Sequence, residues 1–230
     1  MSSTAWPRRS RPPSRLEASQ GRNRQFVADV AHELRTPLAA LVAEASLIEP
    51  DLAALPPDAR RAGELLVGDV RRMRTLVDDL LEISRFDAAA EQPALEDVDL
   101  GRLVAASVAA RLPHAALTLP ATPVHAATDP RRLDRIVGNL LDNAREHAPS
   151  APVEVSLVAA RVGAVITVAD RGPGVSPDAL PHLFERFYKA DRSRAGGSSG
   201  LGLAIAAEHA ALIGARLPVQ ARPGAGSSSR

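Results

Sequence analysis

Five clusters of residues in this 230-residue chain have the types and spacing to do chemistry. His32 stands in the run His32-Glu33-Leu34-Arg35-Thr36-Pro37. An imidazole, with a pKa of about 6.5, is a competent nucleophile near neutrality. Glu33 can hold its Nδ1 proton and leave Nε2 free to attack, although adjacent helical residues diverge and the contact needs a favourable rotamer. Thr36, four residues on, shares the face of His32, where its hydroxyl can orient a water. Pro37 removes an intrahelical hydrogen bond and bends the helix at a cost of roughly 3 kcal/mol, so something other than stability keeps it there.

The other four clusters lie in the second half. Asn139 and Asn143 are one helical turn apart, so both carboxamides point to one surface while Leu140 and Leu141 turn inward. Paired amides suit hard oxygen chemistry, a hydrated Mg²⁺ and phosphate oxygens. Asp170-Arg171-Gly172-Pro173-Gly174 follows a β-rich run: the glycines let backbone approach a planar ligand, and Asp170 can accept from an exocyclic amine such as adenine N6. Gly200-Leu201-Gly202-Leu203 opens a helix after a Gly/Ser stretch, and free N–H groups at a helix start form an anion site. Between these, residues 183–189 hold three of the five Phe and Tyr residues and Lys189, the sole lysine. Taken singly, each cluster has an ordinary explanation: surface amides, a plain turn, a loop entering a helix, an aromatic anchor for a mobile lid.

Two kinds of element must position these groups. Val27, Val30, Leu34, Leu38, Leu41, Ala45 and Ile48 recur at spacings of three and four, a single apolar stripe on a helix that begins near Phe26 and ends at Pro50. Leu66, Val70, Met73, Val77, Leu80 and Ser84 form a second stripe. The two make an antiparallel helical hairpin that cannot hide both stripes alone, so a homodimer closing a four-helix bundle is the economical expectation. Beyond it, residues 103–110 and Asp129-Pro130 to Glu146 read as helices, Val153–Val158 and Val162–Ala169 as an antiparallel strand pair, and Gly200–Ile213 as a last helix. The expected class is α+β, the hairpin being followed by a two-layer α/β sandwich on a single sheet. The expected boundaries are a flexible basic leader at 1–15, the hairpin at 16–88, a linker at 89–98 and the second domain at 99–230.

Composition narrows the field. With 28 basic against 27 acidic residues the net charge is +1, so whole-surface attraction to nucleic acid is not expected. The absence of cysteine excludes disulfides, thiol catalysis and cysteine-held metals. No apolar run approaches the ~18 residues of a membrane helix, so the expected location is cytoplasmic.

The order of the five clusters resembles the sensor histidine kinases of two-component signalling. Residues 32–38 resemble the H-box, 139–143 the N-box, 170–174 the G1 box, 184–187 the F-box and 200–202 the G2 box, and the likeness runs over about residues 16–215. It implies a Bergerat-type ATP-binding fold and autophosphorylation of His32, with Glu33 as base or orienting group. The phosphoryl group would then pass to an Asp of a response regulator. By the same resemblance Asn143 ligates Mg²⁺ and Asn139 contacts phosphates or metal. Asp170 recognises adenine in a pocket shaped by Gly172 and Gly174. Gly200 and Gly202 close the lid on the phosphates, and Lys189 is a further phosphate contact. Glu33 and Thr36 also match a pair associated with phosphatase activity.

Three positions depart from the family pattern. Glu146 stands where many relatives carry a basic residue near the phosphates, with Arg145 beside it to compensate. His147 replaces an aromatic at the adenine edge. Ser227-Ser228-Ser229-Arg230 stands where relatives enter an apolar strand, so a shortened last strand is expected. Relatives also carry upstream membrane helices and a sensor, so the expectation is either a partial or truncated kinase or one that takes its signal from a separate sensor or membrane subunit. The alternative function is a catalytically weakened dimeric signalling adaptor or response-regulator phosphatase.

Overall fold

The computed structural model describes residues 15–87, 92–149, 151–161, 163–189 and 199–220, with side chains from Val30 onward except those of His32 and Asp87. The basic leader up to residue 14, linker residues 89–91, the Gly/Ser residues 196–198 and the expected shortened strand after Gly226 lie outside the described residues. The chain divides into two compact units, 1–89 and 90–230.

In the first unit, helix α1 (Arg15–Ile48) leads through a 3-10 turn (Glu49–Ala54) into α2 (Pro57–Asp87). α1 starts at Arg15, eleven residues before the expected start near Phe26. Those first turns are polar but rich in good helix formers such as Leu16, Glu17, Ala18 and Gln20, so periodicity could not reveal them. The helix is continuous through Pro37.

Ala31 and Leu38 pack with Val77 and Leu81, and Ala45 packs with Leu52 and Val67. The expected single stripe therefore divides. Leu38 and Ala45 are buried within the hairpin, whereas Val30, Leu34, Leu41 and Ile48 stay exposed, as do Leu66 and Met73 on α2. At 100° per residue Leu38 and Ala45 lie on one edge of the α1 stripe and Val30, Leu41 and Ile48 on the other, so one partner helix covers only half of it. At the connection, Arg71 pairs through both terminal nitrogens with the Glu49 carboxylate. Among the described residues no helix is long and apolar enough to cross a membrane.

The second unit contains β1 (Glu96–Asp99), α3 (Leu100–Arg111), β2 (Ala116–Thr118), β3 (His125–Thr128), α4 (Pro130–His147), β4 (Val153–Ala159), β5 (Ala164–Asp170) and α5 (Gly202–Leu212). Instead of one sheet there are two among the described residues. β2-β4-β5 form a three-stranded sheet, parallel at β2–β4 and antiparallel at β4–β5, and β1 pairs antiparallel with β3. β1 takes residues 96–98 from the expected linker. Its sequence Glu96-Asp97-Val98-Asp99 has no alternation of apolar residues and poor strand formers, which hides it from pattern reading.

Val104, Val137, Leu141, Val155 and Leu157 fill the core between α3, α4 and the three-stranded sheet. α5 lies on another side of α4, with Ile136, Ala206 and Ala210 buried between them. α4 is therefore packed on two adjacent faces, and at 100° per residue Asn143 and Asn139 follow next to the one that meets α5.

Asp129 starts α4. Its Oδ1 accepts from the N–H groups of Arg131 and Arg132 at 3.0 and 3.1 Å, and Oδ2 accepts from Ala94 N–H at 3.0 Å. Burial alone would raise its pKa, but the N–H groups of Arg132, Ala94 and Arg131 and the Arg132 guanidinium outweigh that and hold the carboxyl below the usual 3.8. A depressed carboxylate contributes stability that is present above the unfolded-state pKa and is lost as pH falls through the folded one. Denaturant unfolding of the second unit should therefore show stability falling below about pH 4. Asp129→Asn should shallow that acid slope and cost about 1–2 kcal/mol at neutral pH. An unchanged slope would place the acid sensitivity on other carboxylates.

Candidate functional site

α4 carries Asn139 and Asn143 at the edge of its α5-facing side, beyond Ile136 and Leu140. Leu141 is fully buried in the sheet core, and Leu140 leans toward the α5 cluster. Both amides are half-buried. Asn139 Nδ2 is buried with no hydrogen-bond partner among the described residues. A buried amide N–H normally finds an acceptor, so this donor is left unsatisfied by the fold.

The start of α5 comes to the same spot. A Cβ on Gly202 would lie 3.5 Å from Asn139 Oδ1. Leu201, wholly buried at 0% exposure, anchors the helix start. Its side chain caps nothing, while Ser199 Oγ accepts from its N–H at 3.1 Å. The positive end of α5 favours an anion beside Asn139. The structure thus joins two clusters separated by sixty residues of sequence.

Gly200 is held by the aromatic segment. Phe187 N–H donates to Gly200 O at 2.9 Å. Gly200 has φ +70°, and a Cβ there would meet Tyr188 O at 2.8 Å and the Phe187 carbonyl carbon at 2.9 Å. Only glycine fits both the left-handed backbone and the close approach. The two ends of the segment between Tyr188 and Gly200 are therefore fastened together. Phe187 itself has φ +65° and is 60% exposed, so it does not serve as the core anchor allowed by its type. Lys189 is half-buried and makes no hydrogen bond or ion pair among the described residues.

The Asp170 cluster forms a separate wall. Asp170 closes β5, and its Oδ1 accepts from Gly172 N–H at 2.8 Å. A Cβ on Gly172 would meet Ala148 Cβ at 3.1 Å and the His147 carbonyl oxygen at 3.3 Å, so the loop lies against the end of α4. Gly174 has φ +75°. Arg171 braces the loop by reaching Glu154 on β4 at 3.1 Å. His147 joins this wall through its backbone, and its side chain is exposed.

In the first unit His32 lies in α1, and its side chain is outside the described ones. Glu33 and Thr36 are both exposed on that helix. Sequence reading missed the buried contact between Arg132 and His209 and the fastening of Phe187 to Gly200. No local pattern announces either, because each depends on elements that meet only in the fold.

Comparison with known proteins matches the same two regions. The His Kinase A (phospho-acceptor) domain model matches residues 22–89, and the histidine kinase-, DNA gyrase B- and HSP90-like ATPase model matches residues 128–230. The chain belongs to the sensor histidine kinases. The signal transduction histidine-protein kinase AfsQ2 of Streptomyces coelicolor is 43% identical over 217 residues, covering 89% of this chain and 40% of that protein. The sensor histidine kinase MtrB of Mycobacterium tuberculosis is 40% identical over 231 residues, covering 96% of this chain and 41% of that protein. The chain thus spans about 40% of the length of these histidine kinases. The crystal structure of full-length ShkA in complex with AMPPNP superposes with a TM-score of 0.62 at 30% identity, over 83% of this chain and 41% of that one. The helical hairpin followed by a mixed α/β ATPase domain is the architecture of histidine kinases.

Proposed function

We propose that this chain is the transmitter part of an ATP-dependent protein-histidine kinase. In this reading His32 Nε2 attacks the terminal phosphorus of ATP in line, forming an N–P bond as the bond to ADP breaks. The phosphoryl group then moves to an Asp of a response regulator. The observation that carries the reading is the buried Nδ2 of Asn139, without a hydrogen-bond partner among the described residues, beside the positive end of α5, a combination suited to phosphate oxygens.

The remaining roles follow from residue chemistry. Asp170 Oδ1 is engaged by Gly172 N–H, which holds the carboxylate at the end of β5 for an adenine amine. Gly172 keeps the loop carrying Asp170 close against the end of α4. Asn139 and Asn143 offer amide oxygens suited to Mg²⁺, and Asn143 would hold it. When bound, that ion neutralises phosphate charge. Gly200 and Gly202 let the backbone approach the phosphates, and Lys189 adds a cation near the lid. Glu33 orients the His32 ring, and Thr36 serves phosphatase chemistry.

The exposed row of Val30, Leu34, Leu41, Leu66 and Met73 is the reason to infer a homodimer closing a four-helix bundle. Incubation with γ-labelled ATP and Mg²⁺ should give acid-labile, base-stable label. A chain that binds no nucleotide at any concentration would overturn the reading.

One observation favours the adaptor or phosphatase alternative. Glu146 is exposed on the last turn of α4, and Arg145 is drawn to Asp142 at 2.7 Å, so it does not offset that charge. Glu146→Arg should tighten ATP binding about three- to ten-fold at low salt, an effect that fades as salt rises. Unchanged affinity would show that Glu146 stands clear of the phosphates.

A further inference from the structure

Arg132 in the first turn of α4 and His209 in the last turn of α5 are both buried, at 7% and 6% exposure. Arg132 Nη1 lies 3.4 Å from His209 Nδ1. A guanidinium has only donors, so Nδ1 accepts and the ring carries its proton on Nε2. On its other side the guanidinium forms an ion pair with Asp129, Nε lying 3.4 Å from Oδ2 without a hydrogen bond, while Oδ2 accepts from Ala94 N–H.

The spacing along the two helices gives this contact a consequence. Seven residues lead from Arg132 to Asn139 on α4, and seven lead from Gly202 to His209 on α5. Each interval is two helical turns, about 10.5 Å. Arg132 with His209 and Asn139 with Gly202 are therefore matching rungs of one antiparallel helix pair. Ile136 and Ala206 are buried between them. That middle rung is apolar and non-directional, and small residues such as Ala206 and Ala210 offer little resistance to sliding. The polar rung does resist, because a shift would part a buried guanidinium from its acceptor.

We propose that Arg132 and His209 are positioning residues for the nucleotide, a register pin that holds the start of α5 against Asn139. The proposal rests on reading Asn139 and Gly202 as phosphate-binding, so its test includes an arm without nucleotide. The full chain is compared with His209→Leu, which keeps apolar bulk but has no acceptor, and His209→Asn, whose amide oxygen stands near the place of Nδ1. Without nucleotide, the Gly202 amide and Asn139 side-chain resonances should move in the leucine variant and return toward the parent in the asparagine one. With Mg²⁺ and a fluorescent ATP analogue, the leucine variant should bind roughly ten-fold more weakly, and the asparagine variant should restore binding.

Resonances at 202 and 139 that stay put in a folded His209→Leu chain would overturn the pin, whatever binding does. Moved resonances with undiminished binding would overturn its role toward nucleotide. Moved resonances in a chain whose parent binds no nucleotide would uphold the pin and sink the phosphate reading instead. Should His209→Leu fail to fold, Arg132→Lys, which keeps the charge beside Asp129 but loses the planar fork, is judged by the same resonances.

Discussion

A chain carrying His32→Gln takes up no acid-labile phosphate from γ-labelled ATP and Mg²⁺, yet binds the nucleotide as the parent does. Glutamine keeps comparable size and is a better helix former, so α1 and its packing through Ala31 and Leu38 should be untouched. What it lacks is a basic ring nitrogen with an in-plane lone pair. Without that nucleophile the transfer step should fall at least 10³-fold, beyond detection in an ordinary labelling assay. The label should be acid-labile and base-stable, because the expected product is a phosphoramidate and not an ester or acyl phosphate.

Binding is the control that gives the loss its meaning. The candidate phosphate residues lie on α4 and α5 of the other compact unit, so the substitution has no route to damage them through packing within its own hairpin. Label persisting at parent level in His32→Gln would move the acceptor elsewhere on the chain. Label and nucleotide binding lost together would mean the substitution had disturbed the fold.

Long periodic elements were legible without coordinates, and their partners were not. The α1 stripe was readable from Val27 to Ile48, but whether Leu34 or Leu38 would be buried depends on how many helices surround α1. A stripe wide enough for two neighbours looks the same as one meant for a single neighbour. α4 declared itself through Asp129-Pro130 and its apolar face, since cap and turn chemistry is local. β1, β2 and β3, only three or four residues each, carry too few positions for alternation to register. Their pairing comes from neighbours distant in sequence.

The candidate site divides along the same line. Residue types at Asn139, Asn143, Asp170 and Gly202 make them candidates in the sequence because phosphate, metal and base chemistry demand particular atoms. That Gly202 stands against Asn139, while Gly172 stands against His147 and Ala148, is a property of helix packing across the domain. The pin between Arg132 and His209 had no local signature at all. An arginine and a histidine on two helices are read as surface charges until the fold buries them.

The second large effect separates function from stability at one atom. Asn139→Leu should abolish labelling and weaken nucleotide binding at least 100-fold, while making the protein harder to unfold. An amide N–H buried without a partner costs about 1–3 kcal/mol, and asparagine is a poorer helix former than leucine by a few tenths. Asn139 Nδ2 is such a group, and its neighbour Leu140 already belongs to the apolar cluster with Ile136, Ala206 and Ile213. Leucine removes the unpaired donor and extends that cluster, so the second unit's unfolding midpoint should rise by roughly 2–6 °C. A residue kept for folding would show the opposite pair of signs. Were Asn139→Leu less stable and still able to bind ATP, the amide would be a structural partner of α5, and the phosphate role would have to leave this end of the helix.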